Sequence, residues 1–244
     1  MKTLYLKELR YFFTSLIGYL IVGAYLILNV LSLWFLDTNS NLFNTQIGVL
    51  DAFFIGSAWL FMLMIPALSM GRFSEEIKNG TLEILCTKPL SIESLVVAKW
   101  LAVVTLLLLA LLPTLLNAFV VSNLLPEGDQ LDYGRLLSGY LGLFLLAVLY
   151  SGITLFYSTV FTNQATVFLT AALTCFAHYY LWGQLAVAIG IPALYQPLTY
   201  LGLESHLFQM SSGLMHYHDL LYFALQGGLL LFLLQQNLKR RLEL

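Results

Sequence analysis

The charged residues of this chain are few and clustered, and the apolar intervals between the clusters constrain its fold more than any other feature. A charged side chain at the centre of a bilayer costs about 2.5–3.5 kcal/mol. Uncharged apolar intervals therefore mark where a chain can cross. Here they are Tyr11–Leu36, Ala52–Gly71, Leu101–Pro126, Leu136–Leu203 and Leu220–Leu238. One crossing takes roughly 20 residues. The interval from Leu136 to Leu203 is long enough for two crossings, and the polar run Thr162, Asn163, Gln164 divides it. The pattern predicts an all-α membrane protein with six transmembrane helices, at approximately 15–36, 52–71, 98–121, 139–161, 165–181 and 219–236.

Composition excludes the alternatives. The chain is 59% apolar and 10% charged, against about 25% charged in a soluble domain. A disordered chain would need the reverse balance. A net charge of −2 gives no basis for nucleic-acid binding. Two cysteines, Cys86 and Cys175, cannot form a disulfide framework.

Lysine and arginine set the orientation. With six spans, Lys2, Lys7, Arg10, Arg72, Lys78, Lys88, Lys99, Lys239, Arg240 and Arg241 fall on one side and only Arg135 on the other. Asp37, Asp51, Glu127, Asp129, Asp132, Glu204 and Asp219 accompany Arg135. Both termini are expected to be cytoplasmic. The first apolar run exceeds a signal-peptide core of about 7–15 residues, so it is expected to remain as a transmembrane helix.

Residues 1–14 read as an amphipathic helix lying on the membrane. Leu4, Tyr5, Leu6, Leu9, Phe12 and Phe13 share one broad face, and Lys7 and Arg10 point away from it. The segment 72–91 reads as two short cytoplasmic helices with a glycine joint. Asn79-Gly80 stops the first helix, Thr81 caps the second with Glu83 in its first turn, and Pro89 ends it. Ser91 caps the third span, with Glu93 in its first turn. Leu82, Ile84 and Leu85 must bury against the bilayer surface, the spans or another protein. Residues 182–218 read as an extracytoplasmic loop, re-entrant or interfacial, because Gly190 and Pro192 interrupt its apolar stretch.

Other residues carry weaker signals. Pro66 and Pro113 are expected to kink their spans. Tyr150, Thr154, Tyr157 and Ser158 form a polar strip on the fourth span, suited either to a passage or to helix packing. His178 reads as part of an aromatic interface belt with Tyr179 and Tyr180. His216 and His218 alternate, but Asp219 is the one carboxylate beside them, so no metal is expected. Arg135 with Asp132 and Glu127 reads as a solvated outer loop. The chain has no G-x-x-x-x-G-K-[ST] phosphate loop and no G-x-S-x-G or H-E-x-x-H spacing. It offers no catalytic residue: an intramembrane enzyme would need a constellation of buried titratable groups where the spans offer only His178, and a proton-coupled transporter would need intramembrane carboxylates.

Several stretches resemble type 2 ABC exporter permeases, and more closely the gliding-motility ABC transporter permease subunits of Bacteroidota (the GldF-like group). They are 7–19 (K-E-L-R-Y-F-F-T-S-L-I-G-Y), 64–70 (M-I-P-A-L-S-M), 110–116 (A-L-L-P-T-L-L), 162–164, 200–204 and 219–223. The strongest is 72–91, with its E-E-x-x-x-G-T-x-E pattern at Glu75, Glu76, Gly80, Thr81 and Glu83. Cys86 departs from the expected aliphatic residue. The resemblance implies a single permease domain over 1–244, with an N-terminal connecting helix and a cytoplasmic coupling helix. It implies a separate cytoplasmic ABC ATPase that binds ATP and Mg, docked through Arg72, Glu75, Glu76, Gly80, Thr81, Glu83 and Leu85. It also implies a second membrane subunit, a distinct gliding-type companion or a second copy, in the inner membrane. No cofactor is expected on this chain. The alternative is a non-transporting anchor or force-transmitting subunit of the same kind of complex. Charge reversal at Glu76 and Glu83 is expected to uncouple the ATPase without loss of folding.

Overall fold

The computed structural model describes residues 1–36, 42, 50–86, 91–126 and 130–242, without the side chains of residues 84–86. Among these residues every regular element is helical. Asp37, Lys88, Pro89, Glu127 and Asp129, named above, lie outside them, as does the side chain of Leu85.

Helix α1 (Lys2–Thr14) is separated from α2 (Leu16–Val30) by one extended residue, Ser15, at φ −88° and ψ 122°. The chain turns back so tightly that a Cβ on Gly18 would sit 2.9 Å from the Phe12 carbonyl oxygen. Only glycine tolerates that approach. α1 therefore leaves the line of α2 and lies along α6 (Ile92–Leu111). Its buried face is Leu4, Glu8 and Phe12, while Leu6 and Phe13 are exposed. The broad apolar face expected from the sequence is thus split, and the spacing i, i+4, i+8 carries a carboxylate into the protein.

The helices long and apolar enough to cross a membrane are six, among the described residues: Leu16–Phe35, Asp51–Lys78, Ile92–Leu124, Tyr133–Val160, Gln164–Ile189 and Tyr217–Leu242. The second comprises α3 (Asp51–Ser69) and α4 (Gly71–Lys78). Pro66 lies inside α3, buried, without ending it. Pro113 does change its helix: α6 passes through a 3-10 turn at Leu112–Thr114 before α7 (Leu115–Leu124). The missing N–H of proline explains the tightened turn.

α8 (Tyr133–Val160) is the hub, packed against α3, α4, α6, α9 (Gln164–Phe176), α12 (Leu203–Ser211) and α13 (Tyr217–Leu242). Close packing there depends on small residues, as is usual between helices in lipid. A Cβ on Gly139 would stand 2.4 Å from the Phe54 ring of α3. The main core lies between α3, α6 and α8, with Phe54, Phe61, Leu107, Leu146 and Tyr150 fully buried. A second, smaller core gathers Leu4, Phe73, Leu82, Val96, Leu155 and Leu238 at the end where α1, α4 and α5 (Thr81–Cys86) meet. Leu82 buries there, in the protein's own core.

Residues 182–218 differ from the expected loop. Gly190 and Pro192 do interrupt the apolar stretch, at the boundary between two short helices. α9 continues through a π turn into α10 (Trp182–Ile189), and Gly190 at φ +64° ends it. Pro192 opens α11 (Pro192–Thr199) at the helix start, where its missing N–H is harmless. α12 then packs back on α8. Arg135 is not in a solvated loop either. Its guanidinium pairs with Asp51 of α3 and donates to the Ser211 carbonyl of α12 (3.1 Å), while Asp132 caps α8 by accepting from the Arg135 N–H (3.0 Å). Three helix ends are tied there.

Candidate functional site

The opposite end holds a buried set of charges. Gly80, at φ +66°, ends α4 and lets α5 begin at Thr81. α4 comes straight off α3, so its inner face is fixed against α1 and α8. That face carries Arg72, Phe73 and Glu76.

Lys99 comes up from α6 in a run of apolar neighbours and is 1% exposed. Its ammonium pairs with Glu8 of α1 at 3.1 Å and with Glu76 of α4 at 2.8 Å, and donates to the Arg72 carbonyl at 2.8 Å. All three protons of the ammonium have acceptors. Arg72 lies 3.6 Å from the second oxygen of Glu8, and its guanidinium covers the Phe12 ring at 3.9 Å and the Tyr11 ring at 4.3 Å. Two cations and two anions thus neutralise each other at the meeting of α1, α4 and α6. Attraction between buried charges is weakly screened, and removing one partner of such a set costs about 3–5 kcal/mol. The set therefore ties α4 to α1 and α6.

Glu75 faces another way. It accepts from Gln164 at the start of α9 and from the Tyr11 hydroxyl at 3.4 Å. Burial first, and then the Glu75 carboxylate, push the Tyr11 phenol up, so it stays a donor. A groove of about 400 Å³ opens between these groups, lined by Lys7, Tyr11, Glu75, Asn79 and Thr81 among others. At its rim and beyond, Lys78, Asn79, Gly80, Thr81 and Glu83 are exposed. The Thr81 hydroxyl donates back to the Glu76 carbonyl at 3.3 Å, so it closes the end of α4 where the sequence suggested a cap for α5.

The residues expected to meet a partner are therefore divided. Gly80, Thr81 and Glu83 are on the surface, Glu75 is half-buried, and Arg72 and Glu76 are turned into the protein. Charge reversal at Glu76 would set an ammonium beside that of Lys99 and is expected to cost stability, whereas Glu83 is exposed. Two members of the set, Glu8 and Lys99, escaped the sequence reading. The available signal was a single acid between Lys7 and Arg10, and a single cation inside the apolar run before Trp100.

The polar strip of α8 is packed within the chain. Tyr150, Thr154 and Ser158 are fully buried; Thr154 and Ser158 donate to carbonyls of their own helix at 2.8 and 2.7 Å. Tyr157 shares a 3.0 Å hydrogen bond with Thr174 of α9. His178 donates from Nε2 to Gln226 of α13 (2.8 Å) and accepts at Nδ1 from Trp182 (3.3 Å), beside a cluster of Trp59, Phe176, Tyr179 and Tyr180. Neither group offers a nucleophile with a base.

A search among curated proteins finds no match. A family model described as ABC-2 family transporter protein matches residues 5–239. That is nearly the whole chain, and it agrees with the six helices, among the described residues, that are long and apolar enough to cross a membrane. The chain belongs to the ABC-2 transporter family, as a multi-pass membrane subunit.

Proposed function

We propose that this chain is the permease subunit of an ATP-driven ABC complex of the gliding-motility kind, in the inner membrane, with both termini cytoplasmic. A separate cytoplasmic ATPase holds ATP and Mg and docks on the α4–α5 turn through Lys78–Thr81 and Glu83. The observation that carries this reading is the Glu8–Lys99–Glu76 bridge directly beneath that exposed turn. Closure of the ATPase displaces the turn, and the bridge carries the displacement to α1 and α6. Two packings of the helices then alternate. A second membrane subunit, a gliding-type companion or a second copy, covers the exposed apolar side chains of α2 such as Leu16, Ile17 and Leu20.

The test is gentle purification of the tagged chain from its native membrane, followed by mass spectrometry and an ATPase assay. A nucleotide-binding subunit should come with the wild type and be lost from Glu83→Lys, whose side chain touches no part of the ionic set. Purification of the chain alone in every detergent would refute the reading. ATP-dependent efflux from sealed vesicles supports transport; nucleotide turnover without efflux supports the force-transmitting subunit.

A further inference from the structure

Three of the chain's four histidines converge on one carboxylate at the end of the bundle opposite the ionic set. The carboxylate is Asp219, in the first turn of α13 and fully buried. One oxygen, Oδ1, lies 2.6 Å from Nδ1 of His206 on α12. The other His206 nitrogen, Nε2, faces the Tyr200 carbonyl at 2.9 Å. Both neighbours are acceptors, so the imidazole is locked in place and fixes the carboxylate. The second oxygen, Oδ2, accepts from the His216 backbone N–H at 3.2 Å.

His216 and His218 then bring two more imidazoles to the same group. His216 Nδ1 is 3.7 Å from Oδ2 and His218 Nε2 is 4.0 Å from Oδ1. Both distances are too long for hydrogen bonds. The His218 Nε2 atom is buried and has no hydrogen-bond partner. The two rings are stacked, 4.9 Å between centroids. One ligand atom from each of His216, His218 and Asp219 lies within 4.8 Å of the other two. A tetrahedral ion with bonds of about 2.0–2.1 Å holds its ligand atoms about 3.3 Å apart. An ion would draw the two imidazoles, 48% and 40% exposed, together by rotation of their side chains. His216, the more exposed of the two, is the side from which an ion could enter.

We propose that the turn between α12 and α13 binds one divalent transition-metal ion of the Zn²⁺ class through His216 Nδ1, His218 Nε2 and the Asp219 carboxylate. His206 acts as the group that orients the carboxylate, the usual arrangement behind a metal ligand. Imidazole nitrogens select such an ion over Mg²⁺ or Ca²⁺, which take oxygen ligands. The sequence alone argued against a metal because two alternating histidines are a weak pattern. It could not reveal that Asp219 is buried or that His206 stands behind it. Binding would fix His216, at the end of the turn, to the first turn of α13, where His206 of α12 already holds Asp219.

The experiment is calorimetric titration of Zn²⁺ into the full chain in detergent, purified with a tag that contains no histidine. One Zn²⁺ per chain is expected, with micromolar or tighter affinity. His216→Ala and His218→Ala should each weaken it at least tenfold, and the double variant should abolish it. His178→Ala, away from the turn, should bind as the wild type does, and excess Mg²⁺ should not compete. His216→Gln and His218→Gln keep the side-chain bulk and are measured alongside, should an alanine variant elute as aggregate. Absence of saturable Zn²⁺ binding, or binding that survives loss of both imidazoles, would overturn the proposal.

Discussion

Lys99→Met removes the ammonium at the centre of the ionic set while keeping the length of the side chain. Glu8 and Glu76 then lose their shared partner, and Arg72, 3.6 Å from Glu8, is the one cation of the set left near them. Glu8 is almost as buried as Lys99, and Glu76 is 16% exposed, so water compensates little. Breaking such a set from one side costs about 3–5 kcal/mol. For a chain of this size, 1 kcal/mol corresponds to about 2–4 °C in Tm. The melting temperature in detergent should therefore fall by about 6–20 °C. The assay is the fraction of monodisperse protein by fluorescence size-exclusion after heating. Adding Glu76→Gln to Lys99→Met should recover part of the loss, because the orphaned carboxylate is neutralised. A Lys99→Met variant that melts within about 2 °C of wild type, below the roughly 1 kcal/mol of a surface pair, would refute the reasoning. So would a double variant that melts lower than the single one.

Two further outcomes follow from other parts of the fold. Gly139→Ala drives a methyl into the Phe54 ring and should destabilise by about 1–3 kcal/mol through overpacking, read as a lower Tm, whereas Gly228→Ala, with open space around it, should not. Burial raises the Glu204 carboxyl above its ordinary range. The stability gained by holding that proton is full below the unfolded value and lost as pH rises through the folded one. Glu204→Gln should therefore raise Tm at pH 7, leave it unchanged at pH 4, and flatten the profile between them.

The spans were legible because bilayer physics writes them directly into the charge map: charged side chains are excluded from long intervals, and no tertiary information is needed. The joint at Asn79-Gly80 was legible for a similar local reason, since a positive φ calls for glycine. What failed was everything that depends on which face of a helix turns inward. α1 carries apolar residues around much of its circumference, so the wheel could not choose the narrow Leu4–Glu8–Phe12 face over the broad one. Arg72 and Glu76 look like solvated charges in a polar segment. Only the arrival of Lys99 from α6, distant in sequence, makes them interior. The interruption at Gly190 and Pro192 was legible, but the short helices on either side of it carry no long periodic signal. Asp219 and His206 meet across a turn that sequence spacing does not define.

The central claim is that the exposed turn between α4 and α5 receives the ATPase. Photo-crosslinking tests it most directly: benzoylphenylalanine is placed at Thr81, on that turn, and at Tyr217, which is 83% exposed at the opposite end of the bundle. Irradiation of intact membranes should join the Thr81 probe to a protein that carries a nucleotide-binding domain and leave the Tyr217 probe without that product. A nucleotide-binding product from Tyr217, or none from Thr81 while the complex is active, would contradict the account.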